Sequence, residues 1–83
     1  MSWQVRKQTG GENPVWIARE QHDDLLSAYW SVIDEIARRL DGLDRWEAEE
    51  LADIDGAPAG TAWGISVGVD DVNDDWLLVE VES

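Results

Sequence analysis

Between Leu26 and Leu40 the chain has one good reading. Leu26, Tyr29, Trp30, Ile33, Ile36, Ala37 and Leu40 recur at three- and four-residue steps, which places them on one face of an α-helix. Asp23 and Asp24 precede it, where carboxylates cap the first turn and favour the helix dipole. Arg38 and Arg39 stand in the last turn, the end that favours cations. Gly42 is the expected stop. Ser27, Ser31, Asp34, Glu35 and Arg38 form the outer face. A helix with one apolar stripe needs a second layer to bury it against.

The flanking segments supply that layer as strands. WQVRKQ alternates, with Trp3 and Val5 on one side. TGGENP is turn chemistry. VWIARE then sets Val15 and Ile17 on one face and Trp16 and Ala18 on the other, so residues 2–8 and 15–20 read as a hairpin. Further on, TAWGISVGV alternates Trp63, Ile65, Val67 and Val69 with Gly64, Ser66 and Gly68. DWLLVEVES alternates Leu77, Val79 and Val81 with Glu80 and Glu82. Asp44 and Glu47 resemble a capping box that opens a second, shorter helix over RWEAEELADI. Glu47, Glu49, Glu50, Asp53 and Asp55 make that helix acidic, and Gly56 and Pro58 in DGAPAG end it. The expected fold is α+β: a four-stranded antiparallel sheet in ββααββ order, the long amphipathic helix packed on a face, and a short acidic helix. Residues 1–83 read as a single small acidic domain.

No cysteine is present, so neither a disulfide nor a thiolate metal site can staple the fold. Apolar packing must hold it, and six tryptophans carry the aromatic share. No segment has the roughly 18 apolar residues of a membrane span. MSWQVRKQTGGENP lacks the apolar core of a signal peptide, so the expected location is cytoplasmic.

Charge is the dominant compositional signal. Nineteen acids face six bases, a net of −13. Residues 1–22 carry two acids and three bases, a net of +1. Residues 23–83 carry seventeen acids and three bases, a net of −14. Such a field repels nucleic acid and anionic lipid, attracts basic partners, and strains the compact state by self-repulsion.

The sharpest concentration is in GVDDVNDDWLLVEVES, with Asp70, Asp71, Asp74 and Asp75 within six residues. A hairpin loop explains them without any function, because Asp and Asn favour turns. Calcium is a second reading. Asp71, Asn73, Asp75 and Glu82 fall at relative positions 1, 3, 5 and 12 of an EF-hand loop. Position 6 needs glycine and holds Trp76, and the flanks read as strands where the motif needs helices. Partner recognition is the third reading: clustered carboxylates dock in a cationic groove at phosphate positions.

Catalytic machinery is not visible. His22 is the only histidine and lies at the helix start. No serine has a G-x-S-x-G context, and Gly10-Gly11 lacks the Gly-Lys-Ser/Thr of a phosphate loop. Trp3, Trp30 and Trp63 lie on core faces. Trp16, Trp46 and Trp76 do not, and an exposed Trp beside acids is a natural protein-binding anchor.

These features are those of a non-enzymatic acidic interaction protein. The expectation is an inhibitor or antidote that occupies the cationic surface of a basic nucleic-acid-binding protein. Anti-CRISPR, anti-restriction and nuclease-immunity proteins share this profile of small, acidic, cysteine-free chains. The expected contact residues are Asp70, Asp71, Asp74 and Asp75, then Glu47, Glu49, Glu50 and Asp53, with Trp46 and Trp76 as apolar anchors. No cofactor, direct nucleic-acid contact or membrane contact is expected. The alternatives are a halophile's solvation coat, a self-associating module that pairs as a homodimer, and a divalent-cation module at the 70–75 loop.

Overall fold

The computed structural model describes residues 2–8, 15–56 and 62–82. The elements are β1 (Ser2–Gln8), β2 (Trp16–His22), α1 (Leu25–Arg39), α2 (Arg45–Leu51), β3 (Ala52–Gly56), β4 (Ala62–Val69) and β5 (Val72–Val81). The five strands form one sheet in the order β2-β1-β5-β4-β3, with every neighbouring pair antiparallel. The class is α+β as expected, but the order is ββααβββ and the sheet has a fifth strand. The expected TGGENP turn and the Ala57–Gly60 part of the DGAPAG stop lie outside the described residues.

The fifth strand comes from the tail of the acidic helix. α2 stops after seven residues, where the Ala52 N–H closes onto the Ala48 and Glu49 carbonyls and ψ swings to 143°. Ala52–Gly56 then pairs along β4, with Ile54 opposite Ile65. Ladder hydrogen bonds outweigh the helix propensity of this stretch.

Topology leaves one face of the sheet bare. β2 and β3 are the two edges, and α1 and α2 carry the chain from one to the other across a single face. Beneath them lie Val5, Ile65, Val67, Trp76 and Leu78, sealed by Ala28, Val32, Ile33, Ile36, Ala37 and Ala48. Among the described residues no element covers the opposite face.

Two register facts reset the sequence expectations. Val69 pairs with Val72 across a two-residue turn, which sets Ile65 opposite Trp76 and Trp63 opposite Leu78. Paired residues share a face, so Trp76 and Leu78 go under the helices. Leu77, Val79 and Val81 go to the open side, the reverse of the expected parity. In β2 the pairing slips between Val5↔Glu20 and Arg6↔Ala18, leaving Arg19 as a bulge.

The helix also sits rotated from its expected stripe. Ala28, Val32, Ile33, Ile36 and Ala37 are buried, whereas Leu26 is 65% exposed. Small Ala28 and Val32 let α1 lie close to the sheet, and Glu35, expected outside, turns inward. Asp24 Oδ1 accepts from the Ser27 N–H at 2.7 Å, as a cap should. At the other end the Gly42 N–H reaches the Ala37 carbonyl at 3.0 Å in a Schellman closure. The left-handed turn there is shared by Asp41 (φ 61°) and Gly42 (φ 76°), not made by Gly42 alone.

Candidate interaction surface

The four clustered aspartates do not act as a group. Asp70 and Asp71 form the β4–β5 turn, with Asp70 left-handed at φ 51°. Strand alternation then sends Asp74 toward the helices and Asp75 to the open face. Asp71, Asn73, Asp75 and Glu82 run along β5, so positions 1 and 12 of the EF-hand spacing stand on the order of 35 Å apart. No EF-hand loop forms.

Asp74 belongs to an ion network between sheet and helix. Arg39 Nε stands 3.0 Å from Asp74 Oδ2 and Lys7 Nζ 3.8 Å from Oδ1. The Arg39 contact is an ion pair without hydrogen-bond alignment, so that buried oxygen has no hydrogen-bond donor among the described residues. Lys7 also meets Glu35 Oε2 at 3.4 Å and sits 5.2 Å from the centre of the Trp76 ring. Glu35 accepts from the Trp76 indole N–H at 3.0 Å. Trp76 is 2% exposed. Expected as a surface anchor, it is instead the largest fully buried side chain, because the register sets it beside Ile65.

The α2 residues lie on the helix side. Trp46 is 62% exposed and packs edge-on to Trp30 at 5.3 Å between ring centres. Arg45 lies over Trp30 and forks onto Asp34, with Nη2–Oδ2 at 2.8 Å and Nε–Oδ1 at 3.2 Å. Glu49 is held by the Tyr29 hydroxyl. Burial first, and then that carboxylate, push the Tyr29 phenol up to about 12. Asp44 caps the Glu47 N–H at 3.0 Å. That bond lowers the Asp44 carboxyl, while the Asp44 carboxylate raises Glu47. Glu50 is exposed. Asp53, expected on this helix, is in β3 and belongs to the opposite face.

The open face gathers a different set. Across β3, β4 and β5 it reads Asp53–Ser66–Asp75 in one row and Asp55–Gly64–Leu77 in the next, then Gly68–Asn73. The β4 positions are small, so they form the floor of a trough. Its walls are Asp53 and Asp55 on one side and Asn73, Asp75 and Leu77 on the other. Two grooves meet at Ser66 and Asp75. One runs beside Asp53, Gly68 and Asn73. The other, about 340 Å³, reaches Asp55, Gly64, Leu77, Gln8 and Trp16, a residue 40% exposed on β2.

Four of the six bases pair with carboxylates of the helix side, and Arg6 stands on the open face beside Leu77. Lys7, Arg19, Arg39 and Arg45 are engaged by Glu35, Asp74 and Asp34, and Arg6 Nε donates to Gln4 at 2.7 Å. Asp53, Asp55, Asp70, Asp71 and Asp75 take part in no ion pair among the described residues. Asp55 and Leu77 were not expected at the surface site. The signal for Asp55 was the pairing of β3 with β4, which the sequence hides in a helix-like stretch, and that for Leu77 was the β4–β5 register.

No helix among the described residues is long and apolar enough to cross a membrane. Comparison with protein-family models, with curated proteins and with solved structures gives no significant match.

Proposed function

We propose that the protein is a non-enzymatic, cytoplasmic binding protein whose open sheet face docks on the cationic surface of a basic, nucleic-acid-binding protein and blocks it. One observation carries the reading: Asp53, Asp55 and Asp75 of the open face take part in no ion pair among the described residues, while Lys7, Arg19, Arg39 and Arg45 are held by carboxylates of the helix side and Arg6, beside Leu77 on the open face, donates to Gln4. Unpaired carboxylates on a bare sheet face offer complementary potential to a basic groove and speed encounter with it. Leu77 and Val79 add apolar contact at the centre of the face, with Trp16 at its edge. The contact set therefore centres on Asp53, Asp55 and Asp75, with Asp70 and Asp71 at its end. Glu47, Glu49, Glu50 and Trp46 lie on the other side of the sheet and cannot share that contact.

The test is competitive. Proteins retained on the immobilised chain are identified, and their binding to duplex DNA or RNA is measured with and without it. The expected result is basic proteins displaced from nucleic acid, with the displacement lost in the triple variant Asp53→Asn, Asp55→Asn, Asp75→Asn. Unchanged displacement by that variant, or partners without a basic surface, would sink the reading.

A further inference from the structure

Resting on that docking face, we propose that the trough is an arginine site: it receives guanidinium groups from an extended, arginine-bearing segment of the basic partner. Three features separate arginine from lysine. The first is width. β3 and β5 stand about 9–10 Å apart, two strand spacings, with only Ser66 or Gly64 between them. Aspartate side chains are short and close part of that gap from each wall. Across Ser66 a planar fork of five donors can bond Asp53 on one wall and Asp75 on the other at once, about 2.9 Å from each. A compact ammonium reaches only one wall.

The second feature is the floor. Gly64 has no side chain, and half-buried Leu77 lies beside it. An aliphatic stem can lie flat on such a surface while its head reaches the carboxylates. The third is Trp16. It opens onto the same groove as Asp55 and Asp75, across the sheet from β3. Guanidinium stacks on an indole face and keeps its in-plane donors free for the carboxylates. Charge alone would favour any cation. Carboxylate walls, a bare floor and an exposed indole in one groove favour arginine.

The experiment uses the full chain with octa-arginine and octa-lysine peptides at physiological salt, read by isothermal titration calorimetry. Asp55→Asn/Asp75→Asn is compared with Asp70→Asn/Asp71→Asn, which removes the same charge at the turn. Circular dichroism checks that both remain folded. Octa-arginine should bind about ten-fold or more tighter than octa-lysine. That preference should fall to near unity in the trough variant and in Trp16→Leu, and persist in the turn variant. Equal binding of the two peptides would overturn the arginine site and leave the basic-partner reading standing. A preference lost only in the turn variant would also overturn it, by placing the contact elsewhere. Binding of neither peptide to the folded chain would remove both.

Discussion

Asp41 holds a left-handed backbone (φ 61°) at the end of α1, a conformation that costs most residues with a Cβ and costs glycine nothing. It also puts a carboxylate at the negative end of the helix dipole. Asp41→Gly relieves both and should stabilise the fold by about 1 kcal/mol, read as a higher urea midpoint with unchanged slope. The aspartates of the 70–75 run behave oppositely to one another. Asp71 is exposed in the turn and unpaired, so Asp71→Lys should raise the melting temperature at low salt by relieving repulsion. Asp74→Lys sets a third cation beside Arg39 and Lys7 and should cost about 1–2 kcal/mol, measured by the same denaturation series. Sequence alone treats these two residues as equivalent; strand alternation makes them opposites.

At the scale of elements, α1 and the strands β1, β4 and β5 were legible as elements, because their apolar runs are long enough to set the type of structure even where they leave the buried face open. The capping roles of Asp24 and Asp44 were legible too. β3 was not, since ADIDG holds one β-branched residue and continues a helical run without a break. Its strand character exists only against β4. The parity of β5 was hidden for a related reason: in Trp76-Leu77-Leu78-Val79 both faces are apolar, so only the turn register decides which goes inside. Losing that parity also hid the trough. The trough gives a direct test of element against site. A Cβ at Gly64 meets nothing closer than 3.8 Å, and glycine weakens a strand interior. Gly64→Val should therefore keep or raise the melting temperature while filling the floor and reducing binding of a basic partner at least about ten-fold, as judged by calorimetry. Gly56 is the contrast. A Cβ there falls 2.5 Å from the Trp63 ring, so Gly56→Ala should destabilise the β3–β4 pairing.

For the whole molecule the net charge of −13 sets the response to solvent. Salt screens the repulsion, so the melting temperature should climb as KCl is added. Acid should first do the same. Carboxylates begin to protonate as the pH nears their ordinary values of 3.8 and 4.5, and the self-repulsion fades. Further acidification reverses the trend. The Asp24 carboxyl is held below 3.8 by the Ser27 backbone N–H it accepts in capping α1. A lowered value means stability present above 3.8 and lost as the pH falls through the lowered one. Glu20 behaves likewise, lowered from 4.5 by Ser31 and then by His22. A melting series from pH 7 to pH 2 should thus pass through a maximum, and a monotonic fall would show that repulsion is not the main electrostatic term. The strand order carries a consequence of a different kind. β5 stands at the middle of the sheet, between β1 and β4, yet it follows both of them, and β2 and β3, along the chain. Until residues 72–81 are in place, β1–β2 and β3–β4 are two hairpins with no shared ladder, each marginal in water. β5 then joins them in one event, with Ser2 meeting Val81 seventy-nine residues on. Closure at that separation is slow, so the sheet should form only once β5 is available, all at once, with the open face made in the same step as the core.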